Sequence, residues 1–560
     1  MFVMLNQYQK VKNVIINYPH ALLIILCFLY LLPSLTIGFI PDDVKFAVFY
    51  NDYGFFENLK NIWLSPNELF NKSYSFKPII DSISLIEYSI WGINPFWYHL
   101  TNIFFHIFNV ILIYQFSFAL LRRRELSFIC ALIFIIHPIM TNSMFWVYSK
   151  TELVACGFYL SSLITLFRYC AKEQLSFLIL SQLFFFFALL SKETSIVLPF
   201  AQYCLVVWEK NKLVEEGRRR RILWKLVSGN ILTVLIFSLF LISTYNQARF
   251  FTTDNYNLSQ FSQFLTNSIN SGLSILIPFN YNWFETILFE KKYYLIVFII
   301  PLFIRSLFFI YSNNEKYYKY IISFILFFIP ILFTSSSSKT GDTYLASCFF
   351  AIFVGAIIYR SYRKSKIIFI VLIFYASTLF LGSINNYKVW VDNTLINKML
   401  VNGLENKMNE NLNFNTYVVL NFPSKINYAP TLTIDLEPFM NLKTNSNRRI
   451  INPVFIAHDN DIKPTAIHHS NEGLVLNACE ESSYFLLKKK SFSPGEVFDI
   501  KSGKIIIQKI NEKGEAIRII LKLKNDLLFS NICYLYFDEN SLQYKVFNFL
   551  DSTNKPKVSL

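Results

Sequence analysis

The sequence predicts an α-helical polytopic membrane protein of about eleven transmembrane helices, followed by a C-terminal strand-rich soluble domain. Three observations predict it. Of 560 residues, 54% are hydrophobic and only 16% charged, with 60 Phe; soluble domains carry roughly 25% charged residues. Apolar runs approaching the length of a bilayer crossing recur from Ala21 to Ser383. From Asn385 onward the runs shorten and apolar residues alternate with polar ones. The expected domains are therefore a membrane domain over residues 1–384 and a strand-rich domain over 385–560.

The net charge of +15 raises nucleic acid as a partner, but the distribution argues against it. Basic residues come in bursts beside apolar runs: Arg122-Arg123-Arg124, Arg218 to Arg221, and Arg360, Arg363, Lys364 and Lys366. Clusters of that kind mark the cytoplasmic loops of membrane proteins.

Taken in order, residues 1–20 carry Lys10 and Lys12 and no acid, so the N-terminus is expected in the cytoplasm. Residues 21–40 form a retained anchor, since no small-residue cleavage site follows. The loop beyond lies outside, and its Phe55-Phe56, Ile62-Trp63-Leu64 and Leu69-Phe70 clusters read as short interfacial helices. Further spans are expected over residues 95–121, 127–140, 154–169, 175–190, 196–208 and 226–245. Residues 265–279 are short and rich in Asn and Ser; treating them as interfacial keeps the cluster at Arg360 inside. Spans at 294–311, 321–334, 344–359 and 367–383 complete the count and place the C-terminal domain outside. Within that domain, residues 417–420, 504–509, 517–523 and 533–537 read as strands. Six cysteines lie in apolar spans and read as small buried hydrophobes. Cys479 and Cys533 lie in the outer domain, where an oxidising compartment permits a disulfide.

Certain polar residues do not fit an inert membrane bundle. Asp42 and Asp43 sit where the first span ends. Carboxylates are tolerated in the headgroup zone, so their position alone does not assign a role. His99, Asn102 and His106 recur at three and four residues, on one face of the second span. Three polar residues on one face point to a cavity; as metal ligands the two histidines lack a third donor. Lys77, Lys150, Lys192 and Glu193, with His137-Pro138 and Glu152, are expected on the same outer face as the acid pair. Snorkelling explains a lysine at a helix end, but not an excess of cations on the outer side. An anionic headgroup such as a lipid-linked phosphate explains that excess.

These residues carry a resemblance. Asp42-Asp43 with Asn51-Asp52, Lys77-Pro78, the 92–95 segment and His99-Leu100-Thr101-Asn102 with His106 resemble the multi-spanning GT-C glycosyltransferases. The likeness continues through His137-Pro138 with Trp146, Ser149-Lys150, and Leu190-Ser191-Lys192-Glu193 with Pro199, and later through Tyr344-Leu345-Ala346-Ser347 and Trp390-Val391-Asp392. It is greatest toward the branch holding the protein O-mannosyltransferase and TMTC-type enzymes. That resemblance implies an inverting, metal-independent transferase without cofactor. It would move a sugar from a polyprenyl-phosphate donor to a hydroxyl of a glycan, lipid or protein acceptor outside the membrane. It implies Asp42 as catalytic base with Asp43 beside it. Lys77, His99, Asn102, His137, Lys150, Lys192 and Glu193 are the substrate-binding candidates, the lysines for the phosphate.

The chain departs from the family where Lys77 and Lys150 stand for Arg, where Asn142 stands for Glu, and at Gly341-Asp342. Its strand-rich C-terminal domain replaces the helical repeats of TMTC-type proteins. The implied location is a bacterial inner (plasma) membrane. Two other readings stay open: a transporter or flippase of a lipid-linked glycan, and an inactive family member acting as an assembly scaffold. A transporter is expected to show internal repeats and paired broken helices; neither stands out here.

Overall fold

The computed structural model describes residues 17–39, 43, 50, 53–65, 76–208, 216–244, 343–364 and 366–414, with strand and turn segments between 416 and 546. The chain divides into two compact units, Met1–Ile37 with Asp52–Lys388, and Gly38–Asn51 with Val389–Leu560.

The first unit is helical. Helix α1 (Pro19–Leu31) runs into a 3₁₀ turn over Leu32–Thr36. The expected span to residue 40 is therefore too long. Pro33 has no N–H for the helix ladder, its carbonyl accepts from the Thr36 hydroxyl at 2.8 Å, and Ile37 is already extended. Helix α2 (Phe55–Leu64) covers the Phe55-Phe56 and Ile62-Trp63-Leu64 clusters, where short helices were expected; Leu69-Phe70 lies outside the described residues. Helix α3 (Pro78–Trp91) was not expected. Pro78 at its first turn pre-sets the helical φ. Gly92 ends it at φ 56°, ψ −128°, where a Cβ is strained. Helix α4 (Pro95–Leu121) has the expected bounds. Asn94 caps it by accepting from the Phe96 N–H at 3.2 Å.

Helix α5 (Arg124–Ile136) and α6 (Ile139–Phe145) meet at His137-Pro138 with a 61° bend. Helix α7 (Lys150–Lys172) follows a 3₁₀ turn at Val147–Ser149. Helix α8 (Leu175–Ser191), a 3₁₀ turn at Glu193–Val197, α9 (Leu198–Trp208) and α10 (Glu216–Thr244) come next. After residues outside the described set come α11 (Tyr344–Lys364) and the 45-residue α12 (Lys366–Glu410). Residue 385 thus falls inside a helix. The switch to polar residues at Asn385-Asn386 therefore does not mark the end of the helix.

Among the described residues, four helical stretches are long and apolar enough to cross a bilayer: Pro19–Thr36, Pro95–Leu121, Val147–Lys172 and Gly217–Ile242. The α5–α6 pair, bent at its break, makes a fifth when its two helices are counted as one span. The chain is thus a helical multi-span membrane protein. The expected segments at 265–279, 294–311 and 321–334 lie outside the described residues. Apolar side chains stand exposed along α1 (Ile25, Leu29), α4 (Phe104, Phe108) and α10 (Ile231, Leu235, Leu239, Ile242). Rows of that kind need lipid, since water would penalise each of them.

Packing inside the bundle uses small residues and polar clasps. The Ser162 hydroxyl of α7 donates to the Ser181 carbonyl of α8 at 2.8 Å. The Gln202 amide of α9 donates to the Ser162 hydroxyl at 2.9 Å. Gly355 of α11 lies directly against Cys130 of α5: a Cβ there would meet its Sγ at 2.6 Å and its Cα at 3.1 Å. In an exposed helix Gly→Ala stabilises by up to about 1 kcal/mol. Here the clash dominates, because part of it is backbone. Gly355→Ala is expected to lower stability by about 1–3 kcal/mol, read as a lower unfolding temperature in detergent. Cys130→Ala should restore only part of it, since the backbone contact remains.

In the second unit, Gly38 donates its N–H to the Thr394 hydroxyl at 3.2 Å. The hydroxyl of Tyr417 on β1 (Thr416–Val419) donates to the last carbonyls near the α12 end, Asn411 at 2.7 Å and Met408 at 3.1 Å. Strand β1 lies between β5 (Ile532–Asp538) and β2 (Arg449–Ile451), parallel to both. A second sheet is built mainly of antiparallel pairs, the longest register joining β3 (Gly503–Ile510) to β4 (Ala516–Leu523). The strand runs read around residues 417, 504, 517 and 533 are all strands. Parallel pairing was not legible, because it joins segments far apart in the chain. Cys479 lies outside the described residues.

Candidate functional site

The polar residues of the first unit gather where α4, α6 and α7 meet. The helix break at His137-Pro138 begins the arrangement. Pro138 supplies no N–H, and the backbone groups left by the break find side chains. The Ser383 hydroxyl donates to the Ile136 carbonyl at 2.8 Å. Asn386 donates to the Pro138 carbonyl at 3.3 Å. The Ile139 N–H donates to His137 Nδ1 at 3.3 Å. His137, fully buried with its ring edge on Phe350, thus caps a broken span.

The polar stripe of α4 holds the chain that follows. His99 Nδ1–H donates to the Met144 carbonyl at 3.1 Å. Asn102 reaches the Trp146 carbonyl at 3.5 Å, the longest and weakest of the set. Asn109 donates to the Leu153 carbonyl at 2.8 Å and to the Tyr344 hydroxyl at 3.1 Å. The Tyr344 hydroxyl in turn shares a hydrogen bond with His106 Nδ1 at 2.7 Å. One face of α4 therefore binds carbonyls from the end of α6, the segment after it and the start of α7, and ties α11 to it. The stripe was expected to line a cavity; its described hydrogen bonds go to backbone carbonyls and to Tyr344. Asn109 and Tyr344 belong to it and carry as much of it as His99.

The lysines come next. Lys77, at the N-cap of α3, lies with its ammonium 5.7 Å from the centre of the Tyr148 ring. Lys150 opens α7 with its ammonium 5.2 Å from the Tyr98 ring centre and forms an ion pair with Glu87 of α3. Lys192, at the C-cap of α8, pairs with Glu152 in the first turn of α7. Exposure is 1% and 3% for the Lys150–Glu87 side chains and 7% and 6% for Lys192–Glu152. A lysine at a helix N-terminus opposes the helix dipole, while Glu152 in the first turn complements it. Glu87 therefore supplies compensation that the dipole withholds from Lys150. Glu193, expected beside Lys192, is exposed.

Glu87 is the residue that the sequence reading missed. Asp81, Ser84 and Glu87 recur every three residues in α3 and are all buried. That spacing within an otherwise apolar helix was the available signal. Asp42 lies outside the described residues, and Asp43, a residue of the second unit, is fully buried. The side chain of Asn142 is likewise outside them.

No family model matches the chain. In sequence it is similar to Protein O-mannosyl-transferase TMTC2 of Mus musculus, 27% identical over 137 residues, or 24% of this chain and 15% of that protein. It is also similar to Protein O-mannosyl-transferase Tmtc1 of Drosophila melanogaster, 26% identical over 176 residues, or 30% of this chain and 20% of that protein. The matches thus span a fifth or less of the length of those curated relatives. The resemblance to TMTC-type proteins read from the sequence is real and distant. Among solved structures, ArnT from Cupriavidus metallidurans bound to undecaprenyl phosphate aligns over 77% of this chain and 86% of its own, with a TM-score of 0.46 and 12% identity. The archaeal oligosaccharyltransferase AglB from Archaeoglobus fulgidus, in complex with an inhibitory peptide and a dolichol-phosphate, aligns over 78% of this chain and 64% of its own, with a TM-score of 0.41 and 11% identity.

Proposed function

We propose that this chain is a membrane glycosyltransferase of about eleven spans. It transfers one sugar from a polyprenyl-phosphate donor to a hydroxyl acceptor on the extracytoplasmic side. The sequence similarity to proteins named as O-mannosyl-transferases carries the reading. The buried lysines at the α6–α7 and α8–α9 junctions give it a physical basis. Asp42 takes the proton of the acceptor hydroxyl, whose oxygen attacks the anomeric carbon. The bond from that carbon to the phosphate oxygen breaks, and polyprenyl phosphate leaves with the electron pair. Lys77, Lys150 and Lys192 stabilise the charge gathering on the phosphate. Attack without an enzyme nucleophile inverts the anomeric centre.

The test of the phosphate role is donor affinity. Lys192→Ala and Lys150→Ala should each weaken binding of a polyprenyl-phosphate sugar by roughly ten- to a hundredfold, more than they slow the bound complex. Unchanged affinity in both would reduce these residues to structural ion pairs. In liposomes, the wild type should release polyprenyl phosphate as the sugar appears on the acceptor. A transporter would instead move the intact lipid-linked sugar across the bilayer.

A further inference from the structure

Two buried lysines meet two buried glutamates at this site, so the four side chains sum to no net charge. An anion arriving at such a cluster gains little from long-range attraction, because each ammonium already faces a carboxylate. Nor is the arrangement explained by stability, since a buried ion pair contributes little net stability compared with apolar side chains of the same volume. Glu87 adds a second observation. One of its oxygens holds Lys150; the other, Oε1, is buried without a hydrogen-bond partner among the described residues. A buried acceptor in that state is uncommon.

We propose that Glu87 is a positioning residue that holds Lys150 in place and competes with the phosphate of the lipid carrier for its ammonium. The inference rests on the proposed phosphate site and adds a function to it. Lysine has three donors, so it can turn from carboxylate to phosphate without leaving its place over Tyr98. While the phosphate is bound, the Glu87 carboxylate repels it across a few ångströms of low-dielectric interior. That repulsion weakens the hold on the carrier and speeds departure of the spent carrier phosphate. Glu152 stands to Lys192 as Glu87 stands to Lys150.

The experiment measures binding of farnesyl phosphate, a short polyprenyl phosphate, to the full chain in nanodiscs, with farnesol and inorganic phosphate as parallel probes. Glu87→Gln keeps the shape and removes the charge. It should tighten farnesyl phosphate by roughly tenfold or more, leave farnesol unchanged, and tighten inorganic phosphate only if the headgroup suffices without its lipid. With a donor sugar, it should lower steady-state kcat while leaving the single-turnover rate intact, because release and not chemistry is slowed. A merely structural glutamate would not produce that split. Glu152→Gln is the second variant, expected to act in the same direction should Glu87→Gln fail to fold. If Lys150→Ala weakens farnesyl phosphate while both Gln variants bind it no tighter than the wild type, the inference falls and the phosphate site stands. If the Lys and Gln variants all bind as the wild type does, the phosphate site falls with it.

Discussion

Asp42→Asn is expected to lower sugar transfer by roughly a hundred- to ten-thousandfold while donor binding and protein level stay near those of the wild type. A general base contributes about that much to a rate, and Asn keeps the shape of the side chain while losing its basicity. The measurement uses purified protein in liposomes with a radiolabelled polyprenyl-phosphate sugar, following sugar on the acceptor and released polyprenyl phosphate together. Asp43→Asn should cost less. Asp43 is fully buried, which suits a residue that orients its neighbour. Transfer at the wild-type rate by Asp42→Asn would remove it as the base. Loss of transfer in Asp43→Asn alone would exchange the two roles.

The second large effect is on stability, at the Lys192–Glu152 pair. Both side chains are more than nine-tenths buried. Removing one partner leaves the other charge in a low-dielectric interior, which costs about 3–5 kcal/mol. Glu152→Ala should therefore unfold at a markedly lower denaturant fraction in mixed micelles, followed by circular dichroism. Adding Lys192→Met to Glu152→Ala should recover most of the loss, because the buried ammonium is then gone. The double-mutant cycle isolates the pair from general packing effects. A loss below about 1 kcal/mol for Glu152→Ala is the value for an exposed pair, and would mean that water reaches Lys192.

Much of the first unit was legible in the sequence, for reasons that are local. Helix α4 ends at Leu121 because the apolar run ends on three arginines, and it begins at Pro95 after a capping Asn. The break at His137-Pro138 follows from a missing N–H. The first span is shorter than its apolar run because Pro33 tightens it into a 3₁₀ turn, a signal present in the sequence and outweighed there by hydrophobic length. Helix α3 was missed because Asp81 and Glu87 interrupt an otherwise apolar run that precedes a clearer one.

By itself, then, the sequence determined the membrane class, the ends of α4, α8 and α9, the strand-rich character of the C-terminal segment and the distant kinship with TMTC-type proteins. These depend on composition, periodicity and local backbone chemistry, all of which act within a few residues. Only the tertiary structure decided what the polar residues bind. Lys150 meets Glu87 across 63 residues of chain, His99 meets the Met144 carbonyl across 45, and Tyr344 meets His106 across 238. Inside a membrane bundle a buried donor or charge must find a partner. Which partner it finds is set by helix packing, and no local pattern in the sequence encodes that choice.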